Sequence, residues 1–124
     1  MNETTVEKGR SAENVAVNHL QKKGYRILAR NFRHRRYEID VIAWHHGTIV
    51  FIEVKMRSSG SLDTDPSPSY GQIKRILSAA NSYLHTKAPI ASNSRFDVIR
   101  IRKKANTLEI EHLEDAFDAS SFLV

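Results

Sequence analysis

The stretch "YEIDVIAWHHGTIVFIEVK", residues 37–55, carries the strongest fold signal in the chain. Two runs of alternating apolar residues flank His46-Gly47. Alternation on both sides of a tight turn predicts a β-hairpin, with strands over 37–44 and 48–57. Successive strand residues point to opposite faces. Glu53, Lys55 and Arg57 therefore share a face with Ile49 and Phe51, and Asp40 shares one with Glu38, Ile42 and Trp44. A two-residue turn at His46-Gly47 sets Asp40 opposite Glu53 and Glu38 opposite Lys55. Side chains so placed have Cβ atoms about 4.5–5.5 Å apart.

Two carboxylates at that distance repel each other. They share a proton, hold a cation between them, or lie on a solvated face where each pairs with a nearby arginine. Mg²⁺ or Mn²⁺ suits the second case, because both prefer oxygen ligands and often take one or two carboxylates plus waters. Lys55, on the same face, then binds a phosphate oxygen or orients a water.

The rest of the chain supplies the frame. Residues 5–23 have the spacing of an amphipathic helix, with Ala12, Val15, Ala16, His19 and Leu20 on one stripe and Glu13 on its flank. Gly24 is placed to end it. A strand over "YRILARNF" (25–32) precedes the hairpin. "SSGSLDTDPSPS" (58–69) reads as a mobile loop. A second helix over about 70–86 repeats Ile73, Ile76, Leu77, Ala80, Tyr83 and Leu84, with Ser69 as its N-cap. Strands follow at 95–102 and 107–114, paired across "KKAN". The order α-β-β-β-α-β-β predicts one α/β domain over 1–124, with a mixed central sheet of about five strands flanked by helices.

Charge narrows the function classes. The chain has 19 basic and 14 acidic residues, a net charge of +5, and no cysteine. Absence of cysteine agrees with a reducing cytoplasm. No run approaches membrane-spanning length, and the first residues have no apolar signal-like core. "QKKGYRILARNFRHRR" (21–36) carries seven Lys/Arg and no acid, whereas 107–124 carries five acids and no Lys/Arg. The basic segment, with Tyr25 and Phe32 interleaved, predicts a phosphate-facing surface; the plainer reading is a solvated strand edge that resists aggregation. Arg26, Arg30, Arg33, Arg35 and Arg36 are its candidate phosphate contacts, joined by Arg57 from the hairpin. His45-His46 is not a zinc pair by this reading, since adjacent strand residues point apart and no cysteine is present. Asp97 reads as a structural acid beside Arg95.

"YEIDVIA" followed by "VFIEVKMRSS", together with "GRSAENVAVNHLQKKGYRILARNFR", "KRILSAANSYL" and "RFDVIRI", resembles the YraN-like family of small bacterial proteins. That family is similar in turn to the Holliday-junction-resolvase-like branch of the PD-(D/E)XK nucleases. The likeness spans about residues 9–117. It implies a restriction-endonuclease-like core and a divalent metal, Mg²⁺ or Mn²⁺, held by Asp40 and Glu53, with Lys55 as the lysine of the E-x-K motif. By the same resemblance, Glu13 adds an acid to the metal site, and Gln72 and Lys74 approach it; Glu38 is placed beside the site by the hairpin register, and Lys74 joins the candidate nucleic-acid contacts. Tyr37 departs from the pattern, which has glycine there; its ring narrows the approach to Asp40 or stacks on a base. The expectation is a cytoplasmic metal-dependent endonuclease acting on DNA, branched or flapped, with a homodimer in view because resolvases dimerise. The alternatives are a non-catalytic nucleic-acid-binding or docking module that keeps the fold, and a protein-interaction domain using the acidic C-terminal segment.

Overall fold

The computed structural model describes residues 5–57, 69–86 and 93–116, and within them the side chains of 11–56, 69–86 and 93–116. Apart from Ser69, the loop expected over 58–69 lies outside the described residues. Helix α1 (Thr5–Lys22) leads into strands β1 (Arg26–His34), β2 (Tyr37–His45) and β3 (Thr48–Arg57); helix α2 (Tyr70–Thr86) and strands β4 (Asn93–Lys104) and β5 (Thr107–Leu113) follow. The protein is thus α/β in the order α-β-β-β-α-β-β, as predicted. Its five strands form one sheet in sequence order, β1-β2-β3-β4-β5. The β3–β4 pair is parallel, bridged by α2, and the other three pairs are antiparallel.

Local chemistry explains the element ends. The amide of Tyr25 bonds to the carbonyl of Leu20 and that of Gly24 to Gln21, both at 3.0 Å, with Gly24 at φ 89°. This closes α1 in a Schellman motif, which needs a residue tolerant of the left-handed region. At α2 the Ser69 hydroxyl accepts from the Gln72 amide (3.1 Å), and the Gln72 side-chain oxygen accepts from the Ser69 amide (2.9 Å). The two residues form a capping box.

Each helix covers one face of the sheet. Ala12, Ala16, Val17 and Leu20 of α1 pack with Tyr25, Val41, Ala43, Val50, Ile52, Ile99 and Ile101. On the opposite face Ile76, Ala79, Ala80 and Tyr83 of α2 pack with Ile39, Ile42, Ile49, Phe51 and Phe96. Val50, Ile52 and Ile99 are at most 1% exposed, as expected for strands covered on both sides.

Alternation fails at two places on β1; at the first, the register with β2 shifts between Ile27 and Ala29, so that Ile27 packs on the α1 side and Ala29 on the α2 side. At the second, between the pairs Arg30↔Val41 and Phe32↔Ile39, Asn31 and Asp40 face each other outside the ladder, and Asn31 has φ 53°. In consequence Ala29 and Phe32 on β1, like Ile39 and Ile42 on β2, reach the same α2-side core although three residues apart. Strict alternation, which placed Asp40 on the face of Ile42 and Trp44, is therefore corrected. A left-handed residue in β1 rotates the chain locally, and Asp40 turns towards α1.

Candidate metal and phosphate site

The hairpin register is the expected one for five pairs, from His45↔Thr48 to Val41↔Ile52. There the ladder stops. Asp40 and Glu53 come next in line but are not a ladder pair; the Asp40 carboxylate accepts a 2.8 Å hydrogen bond from the Val54 amide instead. Direct opposition of Asp40 and Glu53 is corrected accordingly. Tyr37, Glu38, Asp40 and Glu53 line a narrow cleft where the strands part.

Two of these residues, Glu38 and Asp40, meet a third carboxylate from α1 beside the cleft. Ligand oxygens of Glu13 on α1 and of Glu38 and Asp40 on β2 all lie within 4.8 Å of one another. No other group of three such residues occurs among the described residues. Glu13 was tied to the site by resemblance, and the docking of α1 brings it there. Glu38, expected opposite Lys55, joins the cluster instead, while Glu53 stands just outside it.

The electrostatics are those of crowded acids. The Asp40 carboxyl is pushed up to about 6, first by burial and then by the charges of Glu53, Glu13 and Glu38, with the Val54 hydrogen bond opposing. Burial also raises the Tyr37 phenol, and Glu53 and Asp40 add to the shift. The Oε1 atom of Glu13 is buried with no hydrogen-bond partner; Arg30 lies 3.5 Å away and gives its own hydrogen bond, at 2.7 Å, to Asn14. A buried carboxylate oxygen without a partner is costly. A hard cation would satisfy it, and the all-oxygen donor set fits Mg²⁺ or Mn²⁺. Lys55 is half-buried on β3, and its ammonium has no ion-pair or hydrogen-bond partner among the described residues.

The candidate phosphate contacts divide into groups. Arg30 is held by Glu13 and Asn14, and Arg33 by Glu38 at 3.1 Å. Arg26 sits at the far end of β1, roughly 26 Å from His34 at the usual strand rise, so the structure does not bring it to the cleft. Arg57 ends β3, and its side chain lies outside the described residues. Arg35 and Arg36 form the two-residue β1–β2 turn and meet Lys74 and Arg75 of α2 across an open groove of about 400 Å³ that Tyr37 also lines. Arg75 escaped the sequence reading; only its position beside Lys74 on the outer face of α2 marked it. Gln72 does not reach into the cleft, its side-chain oxygen being taken by the α2 cap. The two aromatics of the basic segment are turned inward: Tyr25 is 3% exposed, and Phe32 packs edge-on against Tyr83. An apolar ring next to a core is worth more buried than displayed.

Asp97 is structural, as read. It is 1% exposed. Arg95 binds it through two nitrogens at 2.9 Å, His112 lies at 2.7 Å, and the Asp115 amide donates at 2.9 Å. Burial alone would raise this carboxyl; the bonds from His112, Arg95 and Asp115 outweigh it and hold the group below the usual carboxylate range. Arg95 also donates to the Tyr25 hydroxyl, and Tyr25 stacks on His45 at 3.8 Å. His45 is thus a packing partner; its ring centroid also lies 4.0 Å from that of His46, so the two side chains do not point apart as the alternation of a strand predicts.

Residues 12–101 match the family described as "Uncharacterised protein family UPF0102". The chain is 45% identical over 118 residues to a UPF0102 protein of Chlorobium limicola, covering 88% of this chain and 90% of that one. It is 41% identical over 112 residues to one from Alkaliphilus oremlandii, covering 88% and 96%. A third, from Flavobacterium johnsoniae, is 36% identical over 117 residues, covering 90% and 94%. The chain belongs to the UPF0102 family, which is the YraN-like family of the sequence resemblance.

Proposed function

We propose that this UPF0102 member is a divalent-metal-dependent phosphodiesterase acting on DNA. One observation carries the reading: carboxylates from two separate elements, Glu13 on α1 and Glu38 and Asp40 on β2, gather within 4.8 Å, and one buried oxygen among them has no hydrogen-bond partner, with Arg30 standing 3.5 Å away. Gathering three half-buried carboxylates costs the fold stability, which a bound cation would offset beyond what Arg30 and Arg33 supply.

In this reading Asp40 and Glu13 hold Mg²⁺ or Mn²⁺, with Glu38 and Glu53 at the rim. The ion would lower the pKa of a water and withdraw charge from a phosphoryl oxygen. The chain's own residues do the rest. Val54 fixes the Asp40 carboxylate through its amide, so that one carboxylate oxygen is oriented before any ligand arrives. Lys55, two residues beyond Glu53, brings an ammonium with no acidic partner among the described residues to the charge that builds on the phosphate. The cations of the β1–β2 turn and α2 hold the backbone on the far side of Tyr37. Cysteine is absent, which supports a reducing, cytoplasmic setting. Among the described residues no helix is long and apolar enough to cross a membrane.

The test is a cleavage screen over single-stranded, duplex, flapped and four-way DNA with Mg²⁺ and with Mn²⁺. Metal-dependent cutting that is lost in Asp40→Asn supports the reading. No cutting of any substrate in either metal, by protein that still binds DNA, replaces it with the non-catalytic binding module.

A further inference from the structure

The basic groove beside the cleft says which form of nucleic acid the protein takes. Its walls come from two elements that the sequence leaves far apart. On one side the β1–β2 turn has only two residues, with Arg35 at φ 56°, so that Arg35 and Arg36 stand at a tight tip. On the other, Ile73 and Ile76 are drawn into the α2-side packing, which leaves Lys74 and Arg75 exposed between them. The open groove between them has a volume of about 400 Å³ and is also lined by His34 and Tyr37.

Two features separate this surface from an ordinary solvated basic face. Its four cations have no acidic partner among the described residues, whereas Arg30, Arg33, Arg95 and Lys104 all do. One aromatic ring lines it, and a second lies against one of its cations. Tyr37 forms a wall shared with the carboxylate cleft, and the Lys74 ammonium lies 4.8 Å from the ring centroid of Tyr70, which is 56% exposed. A cationic groove with an aromatic side chain in its wall is the recognition pattern of unpaired strands, whose phosphates follow the charge while bases stack on the ring. The volume falls in the range of pockets for drug-sized ligands, which suits one or two unpaired nucleotides. The paired bases of a duplex are turned inward and would leave such a groove unfilled.

We propose that the groove between the β1–β2 turn and α2 binds single-stranded DNA, the strand passing Tyr37 as it leaves the carboxylate cleft. Arg36 and Arg75 hold its phosphates, and Tyr37 stacks on the base between the two sites. The substrate class is then DNA with an unpaired segment next to the cleaved bond. This rests on the reading of the cleft as a nucleic-acid site, but not on that cleft being catalytic.

Binding is measured in EDTA by fluorescence anisotropy, with labelled oligothymidylate and a blunt duplex carrying the same number of phosphates. The parent protein should bind the single strand at least tenfold more tightly. Arg36→Ala with Arg75→Ala should weaken single-strand binding about tenfold and flatten its salt slope by about 1.4, at about 0.7 per phosphate contact. Lys22→Ala with Lys103→Ala, the same charge loss elsewhere, should change little. Tyr37→Leu should cost fivefold or more, and Tyr37→Phe should restore binding. Thermal melting of each variant confirms that it is folded. Equal affinity for duplex and single strand, or equal loss in the Lys22/Lys103 pair, overturns the assignment. Absence of cleavage with single-strand binding intact rejects the nuclease reading alone. Cleavage together with unaltered binding in the Arg36/Arg75 pair rejects the groove alone.

Discussion

The side chain of Asp40 occupies a backbone role: its Oδ2 accepts the 2.8 Å hydrogen bond of the Val54 amide where the β2–β3 ladder has already ended. A carboxylate held this way is oriented by the strand beside it and crowded by the acids around it. The fold therefore keeps an ionised Asp40 in place at a cost to its own stability.

That cost gives the first prediction. The folded-state value of Asp40, about 6, lies above its ordinary 3.8. Ionised Asp40 therefore opposes folding. The penalty is fully present above pH 6 and is relieved as pH falls from about 6 towards 4. Two units correspond to about 3 kcal/mol. Metal-free Asp40→Asn should be more stable than the parent at pH 7.5 by an amount approaching this, and the gap should close by pH 4. The amide oxygen still serves Val54. Urea denaturation across that pH range checks it; a variant less stable than the parent at pH 7.5 counts against the crowded carboxylate.

Metal should act in the opposite sense. Mn²⁺ at a hundredfold excess over its dissociation constant adds about 2.7 kcal/mol by linkage. Thermal melting should show the parent stabilised and both Asp40→Asn and Glu13→Gln unresponsive. Glu53→Gln should keep part of the effect, because Glu53 stands outside the 4.8 Å cluster. A full response in Glu13→Gln would move the ion away from α1.

Lys55 separates binding from chemistry. Its ammonium has no partner among the described residues, so Lys55→Ala should fold and respond to Mn²⁺ like the parent. Losing one preorganised charge beside a reacting group typically lowers the rate on the order of 10²–10³. Single-turnover cleavage should fall by that factor. Lys55→Arg should recover little, since a planar guanidinium does not replace a compact ammonium. Unchanged cleavage by Lys55→Ala would place the activity at another site or in a contaminant.

Asp97 should matter to stability and not to metal. Asp97→Asn sets an amide against Arg95 and His112, both of which lose a charged acceptor in a nearly sealed site. Removing one partner of a buried pair costs about 3–5 kcal/mol. Chemical denaturation should show that loss, while the folded variant still answers to Mn²⁺. Because the Asp97 carboxyl is held below its usual range, its contribution is present at neutral pH and disappears as pH falls through its lowered folded-state value. A mild variant would mean that the network around it repacks.

The sequence by itself determined the parts that depend on neighbours along the chain. Alternation and His46-Gly47 set the hairpin register as far as Val41↔Ile52. Helical spacing located both helices, Gly24 and Ser69 marked two of their ends, and the β4–β5 pairing followed from two alternating runs around a short turn. Only the tertiary structure decided the rest, because it turns on contacts between distant segments. A left-handed Asn31, with no glycine to announce it, swings Asp40 towards α1, and the docking of α1 selects Glu38 over Glu53 as the third carboxylate beside Glu13. Tyr25 reads as an exposed aromatic among cations until α1 and β5 close over it. Arg30 and Arg33 look equivalent to Arg35 and Arg36 in the sequence; a kinked strand gives the first two to acids, and a two-residue turn carries the others out to meet Lys74 and Arg75. Period and turn chemistry act over a few residues, whereas a site is assembled by the packing that brings its pieces together.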